Sequence, residues 1–101
     1  MIYNNVVLTV NDDASVATVL ALLGQFAERS RGEPGCAGFD VFHSQSERRW
    51  FLLVEKWDSQ EVLDRHRQAS AFRELYQPLV LPLVLRTPHP CDLVSTATES
   101  R

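Results

Sequence analysis

Glu55 stands in the most strand-like run of the chain, Arg49-Trp50-Phe51-Leu52-Leu53-Val54-Glu55-Lys56-Trp57, on the same side of the strand as Leu53 and Trp57. A carboxylate among apolar neighbours loses hydration and calls for a partner. His66, on the segment that follows, projects toward the same region. Its side chain, with an ordinary pKa of about 6.5, suits proton transfer near neutrality and is expected to hydrogen-bond to Glu55 or to a ligand. Trp57 can stack on a planar molecule, as can Phe39, Phe51 and Phe72, while Tyr76 offers a phenol, Leu53 an apolar wall and Asn5 an amide. Each has a plainer role open to it: Glu55 in an ion pair with an arginine, His66 packed at the sheet edge, the phenylalanines in the core. His43 and His89 share no ligand-like spacing with His66, so no metal site is expected.

These side chains need a scaffold. Residues 2–10 are β-branched and aromatic, and Asn11-Asp12-Asp13 ends the run, which predicts a first strand. From Ala14 to Arg31 apolar residues recur at helical spacing, with Asp13 as the expected N-cap and Gly32 as the stop. Glu33-Pro34-Gly35-Cys36 forces a turn into a second strand over residues 37–44, and a short polar connection leads to the third strand at 49–57. Asp58 opens a helix carrying Val62, Leu63 and His66. Ser70 opens another carrying Phe72, Leu75, Tyr76, Leu79 and Leu83, which Pro78 and Pro82 bend or break. Thr87-Pro88-His89-Pro90 reads as extended or turn, with a final strand expected between Cys91 and Ala97.

The order predicts an α+β, ferredoxin-like antiparallel sheet with helices on one face: a single domain over residues 1–97 and a frayed tail at 98–101. In the third strand Trp50, Leu52 and Val54 make the second face apolar too, so both faces need cover. In a chain of 101 residues nothing remains to supply it, and a second copy packed sheet to sheet is expected. An apolar hollow is expected between the helices and the sheet, bounded by Trp57, His66 and Tyr76.

Composition narrows the partners. The net charge is −3, and no basic cluster offers the footprint that nucleic-acid binding requires. The opening Met1-Ile2-Tyr3-Asn4-Asn5 lacks signal-peptide features, no run approaches a membrane span, and a cytoplasmic location with reduced Cys36 and Cys91 is expected.

The stretch Glu33-Pro34-Gly35-Cys36-Ala37-Gly38-Phe39-Asp40-Val41-Phe42, the run from Arg49 to Trp57, Leu63-Asp64-Arg65-His66 and Ser70-Ala71-Phe72, in this order and spacing, resembles the antibiotic biosynthesis monooxygenase (ABM) family. The resemblance implies a dimeric α/β barrel. It also implies cofactor-free oxidation of a small aromatic molecule (a quinol, polyphenol or anthrone-like compound) by O₂, with His66, Trp57 and Glu55 catalytic and Tyr76, Phe39, Leu53, Phe72 and Asn5 contacting substrate. Haem breakdown is disfavoured, because the positions of that branch's pocket Trp and haem-ligating His are held by His66 and Tyr76. The anthrone-oxidising branch has an Asn where this chain has Leu53. A non-redox isomerase using Glu55 and His66 as acid and base, and a ligand-binding module without catalysis, are the alternatives.

Overall fold

A computed structural model describes residues 1–95. Strand β1 runs over Ile2–Val10, and its burial alternates so that Asn4, Val6, Leu8 and Val10 face inward. After a 3₁₀ turn at Asp13–Ser15, helix α1 occupies Val16–Arg31 and buries Val16, Val19, Leu23, Phe26 and Ala27. The side-chain cap is Asp12, not the expected Asp13, and it caps the 3₁₀ turn: its carboxylate accepts the Ser15 N–H at 2.9 Å, while Ser15, at the N-cap of α1, makes no side-chain capping bond. Asp13 lies within the turn and faces Arg49 at 3.8 Å.

The reversal after α1 is a type II turn. Cys36 N–H donates to the Glu33 carbonyl at 3.1 Å, Pro34 supplies the fixed φ, and Gly35 takes φ +85°. A β-carbon on Gly35 would sit 2.6 Å from a methyl of Val62, so the turn can approach the next helix only as glycine. Gly35→Ala combines positive-φ strain with that overlap and should cost about 1–3 kcal/mol in stability, read from denaturant or thermal melts. A loss within 0.5 kcal/mol on the same melts would show that this close approach is not what selects glycine.

Strands β2 (Cys36–His43) and β3 (Trp50–Trp57) form the antiparallel hairpin. Helix α2 covers Gln60–His66 and is capped by Ser59, one residue beyond the expected Asp58, its Oγ accepting the Val62 N–H at 3.2 Å. Helix α3, Ala71–Val80, is wound with the wide π spacing and contains Pro78; a 3₁₀ turn at Leu81–Leu83 follows. The proline therefore does not end the helix, which widens around it and tightens into the 3₁₀ turn after Leu81.

Strand β4 spans Val84–Cys91, earlier in the chain than the segment after Cys91 where a strand is expected. It pairs with β1, and the sheet order β2-β3-β1-β4, antiparallel throughout, is the ferredoxin-like arrangement. Pro88 and Pro90 are tolerated because β4 is an edge strand, where a missing N–H leaves no partner unpaired on the open side. Residues 98–101, expected as a tail, lie outside the described residues.

The helices and the inner sheet face share one core, in which Trp57, Tyr76, Phe26, Phe39 and Phe51 are the largest fully buried side chains. The outer face is apolar and open: Phe42, Trp50, Leu52 and Leu85 are 54%, 45%, 39% and 63% exposed.

Candidate functional site

His66 closes α2 and is 4% exposed. Its ring lies 4.3 Å from Trp57, centroid to centroid, and is enclosed by Phe26, Phe39 and Phe72 at 5.6, 5.9 and 5.6 Å. Its hydrogen-bond partner is Glu33, whose Oε1 is 2.7 Å from Nδ1. The turn at Pro34-Gly35 places that carboxylate against α2, and the close seating of Gly35 on Val62 fixes the distance between the two elements.

The protonation of the pair follows from burial. Desolvation pushes Glu33 up to about 7, with Arg29 pulling the other way, and pushes His66 down to about 4, with Arg67 adding to the fall. Both groups favour their neutral forms, so the contact is a hydrogen-bonded acid and base, not a fixed ion pair. When Glu33 is ionised, Nδ1–H donates to it, and Nε2 on the other edge of the ring carries the free lone pair.

This electrostatic balance has a measurable consequence for stability. His66, lowered in the fold, contributes stability above its unfolded value of 6.5 and loses it as pH falls toward 4; Glu33, raised in the fold, contributes below 4.5 and loses it as pH rises through about 7. Between pH ~5 and ~6 the folded pair holds one proton on Glu33 and the unfolded pair holds one on the histidine, so their slopes cancel. Glu33→Gln removes one slope. Stability of the variant should then climb with pH through that window by up to about 1.4 kcal/mol per unit relative to the parent, measured by thermal melts at fixed ionic strength. Parallel curves for the two proteins would contradict the assignment.

Across the ring from Glu33 a second set of polar groups meets. Glu55 is 4% exposed, and its Oε1 accepts the Trp57 Nε1–H at 3.0 Å. Burial raises its pKa, opposed by the bonds from Trp57 and Asn4 and by the charges of Arg86 and Arg67. Glu55 and His66, expected to bond to each other, thus have different partners: Trp57 for the carboxylate and Glu33 for the imidazole. Burial also pushes the Tyr76 phenol up to about 12, with Arg86 beside it acting in the opposite sense. Tyr76 Oη and Arg86 Nε are nonetheless buried without a well-formed hydrogen bond among the described residues. Two unfilled positions on adjacent donors are costly in an interior unless something occupies them.

Asn4, Phe26, Glu55, Leu63, His66, Arg67, Phe72, Tyr76 and Arg86 surround a cavity of about 10 Å³, room for one water. The hollow expected from the sequence is therefore nearly filled. Of the residues singled out above, His66, Glu55, Tyr76 and Phe72 line it. Trp57, Phe39 and Leu53 lie in the packed layer behind. Asn5 points to the opposite sheet face, where its amide is 3.4 Å from Cys91 Sγ, and its neighbour Asn4 takes the inward place. On its other side His66 borders a surface cleft of about 280 Å³ formed with Glu33, Pro34, Val62, Arg65 and Ala69. Glu33, Asn4 and Arg86 join the site although the sequence reading passed them over. The signal for Asn4 was parity with Val6 and Leu8; for Glu33 and Arg86 no local pattern pointed inward.

Among the described residues no group of three or more His, Cys, Asp or Glu side chains could hold a metal ion, and no helix is long and apolar enough to cross a membrane.

Comparison with known proteins places this site in context. A solved antibiotic biosynthesis monooxygenase superposes with a TM-score of 0.81 at 25% identity, over 92% of this chain and 99% of its own. A conserved protein of unknown function from Bacteroides thetaiotaomicron gives 0.84 at 24% identity, over 91% and 96%. A Mycobacterium tuberculosis protein gives 0.76 at 24% identity, over 94% and 100%. An uncharacterized protein of Synechocystis is 36% identical over 58 residues, a match that takes in 57% of this chain and 40% of that protein. The family model for antibiotic biosynthesis monooxygenases matches residues 1–77, which contain the Glu33 turn, the Glu55–Trp57 pair, His66 and Tyr76. The chain belongs to the antibiotic biosynthesis monooxygenase family.

Proposed function

We propose that this chain is a cofactor-independent monooxygenase that oxidises a small quinol or polyphenol with O₂, working as a homodimer joined through the outer sheet face. The observation that carries the reading is a neutral, buried imidazole with one nitrogen held by Glu33 at 2.7 Å and its ring bordering a cavity that presents two unfilled donors. Such an imidazole takes a phenolic proton. The resulting anion is electron-rich enough to reduce O₂ to superoxide, and the two radicals combine at a ring carbon as a hydroperoxide. Loss of water leaves a carbonyl: one oxygen atom stays on the ring, the other departs as water, and a 1,4-quinol becomes a hydroxyquinone. Tyr76 and Arg86 suit a second substrate oxygen, and the aromatic walls hold the ring and exclude water.

With room for one water, the cavity must open to admit a ring. Helix α3 is the element suited to move. It carries Phe72 and Tyr76, its π winding is a rare and weakly held geometry, and Pro78 removes one backbone donor from it. Oxygen uptake over a panel from one-ring hydroquinones to three-ring anthrones tests the reading: the expected result is one O₂ consumed per substrate, with single-ring compounds favoured. Uptake no faster than autoxidation across the panel overturns it, and turnover of a hydroxyketone without O₂ would favour an isomerase.

A further inference from the structure

Among the described residues His66 is the one side chain that borders both the inner cavity and the outer cleft, and Glu33 is its partner on the cleft side. We propose that Glu33 is a proton-relay residue: the proton that His66 removes from substrate passes through Nδ1 to the Glu33 carboxylate and leaves through the cleft walled by Pro34, Val62, Arg65 and Ala69. The inference rests on the oxidation reading for the proton's origin, but not for the relay's chemistry.

The geometry requires an exit of this kind. A cavity of about 10 Å³ has room for one water and must widen to take a ring, so on that side the substrate displaces the water that could accept a proton from His66. The aromatic rings around the imidazole offer no acceptor, and Glu55, whose Oε1 accepts Trp57 Nε1–H at 3.0 Å, makes no hydrogen bond to it. Among the described residues the 2.7 Å contact with Glu33 is the hydrogen bond that leads from the imidazole outward. Direction follows from the environment on each side. Burial holds the imidazolium at about 4, so it gives the proton up, whereas Glu33, at about 7, accepts it. The step balances simply: one proton enters at Nε2, one leaves at Nδ1 to Oε1, the imidazole returns to neutrality in the other tautomer, and the carboxylic acid then ionises into cleft water. The ring resets when Nε2–H gives its proton to the peroxide anion, whose outer oxygen leaves as water, and Nδ1 regains one from cleft water through Glu33, so no net proton is lost over the cycle.

The charged and titratable groups facing the pair come from each packed element. Arg29 on α1 draws Glu33 down; Cys36 on β2 and Arg65 on α2 stand beside it; Arg67 opposes the imidazolium; Glu55 on β3, Tyr76 on α3 and Arg86 on β4 line the cavity with it. None of them is hydrogen-bonded to the imidazole.

Two arms test the relay, on the full chain. The first needs no substrate: carboxyl ¹³C and imidazole ¹⁵N titrations by NMR. Glu33 should titrate near 7, His66 nitrogen shifts should follow it, and in Glu33→Gln that neutral step should vanish, leaving only an acid one near 4. A Glu33 midpoint near 4.5, or His66 shifts unaltered by Glu33→Gln, overturns the proposal. The second arm is kcat for a turned-over hydroquinone against pH. In the parent it should rise through about pH 7 as the carboxylate forms. In Glu33→Gln the rise should disappear, kcat should drop at least about tenfold with KM held within about twofold, and added imidazole should restore rate by accepting the proton in the cleft. A residue that merely braces the ring would change KM or stability without buffer rescue, and that outcome also overturns the relay. If the parent consumes no O₂, the oxidation reading fails by itself and the titration arm still decides whether Glu33 takes the proton of His66.

Discussion

Oxygen uptake with a hydroquinone should fall by about 10²–10³-fold when His66 is replaced by glutamine, with substrate affinity changed far less. Glutamine is the informative replacement. It keeps a polar side chain able to hydrogen-bond with Glu33 and fills much of the space between Trp57 and Phe72, yet it has no nitrogen that can take a proton. Alanine would confuse the result, because deleting a ring packed within 4.3–5.9 Å of Trp57, Phe26, Phe39 and Phe72 opens a hole in the core. The size of the effect follows from what the solvent can replace. A phenol ionises in water near pH 10, so at neutrality about one molecule in a thousand is already the anion, and a base that supplies the anion on demand gains at most a comparable factor. A thermal melt close to the parent's guards against reading instability as lost chemistry. Unchanged turnover in a folded His66→Gln protein would move the base to Glu55, the buried carboxylate facing the cavity, and Glu55→Gln would then carry the loss.

The elements with a single period were legible in the sequence. Strand β1, helix α1 and the β2–β3 hairpin alternate or repeat over eight or more residues, long enough for a pattern to outweigh any one position. What the pattern left open was phase. Asn4 and Asn5 are equally polar, and a one-residue change of register exchanges inside for outside, so parity with Val6 and Leu8 is the local sign for Asn4 and pairing with β3 and β4 fixes it. Caps slipped in the same way: Asp12 against Asp13 and Ser59 against Asp58 are chemically equivalent neighbours, and backbone dihedrals select between them. Prolines misled more seriously. Pro88 and Pro90 read as interruptions until β4 proves to be an edge, and with β4 displaced the inward place of Arg86 was hidden. Glu33 was obscured by its own turn. Beside Pro34 and Gly35 it looks like loop punctuation, and its partner lies 33 positions further along the chain. Long-range polar pairs leave no periodic trace, so the contact of His66 with Glu33 emerges only from the packing, while Glu55 accepts from Trp57, its neighbour on the same strand face.

Replacing Leu52 with glutamate should convert a dimer into monomers, raising the dissociation constant by at least about 10³-fold, seen by sedimentation velocity over a concentration series. The argument starts from the outer sheet face. Phe42 pairs with Leu52 and Leu52 with Val7, while Trp50 pairs with Thr9 and Thr9 with Leu85, so the exposed Phe42, Leu52, Trp50 and Leu85 lie in two adjacent rows, each crossing three strands, bridged by the half-buried Val7 and Thr9. A contiguous patch of this kind is uncommon on a protein that remains alone in water. A second copy is the occupant we propose, because it is always present at the concentration of the first and a two-fold contact matches the patch to itself. Leu52 sits on β3, an inner strand, near the middle of the patch. In the separate chain it is 39% exposed, so a glutamate there is hydrated and the fold survives. In the dimer the same carboxylate would be desolvated without a counter-charge, and symmetry places a like charge on the facing copy. An uncompensated charge costs about 3–5 kcal/mol when buried, and each factor of ten in affinity corresponds to about 1.4 kcal/mol, so one pair of substitutions suffices. Parent protein sedimenting as a single chain at micromolar concentration would remove the dimer from the proposal. A Leu52→Glu protein that stays dimeric would place the contact on a different surface.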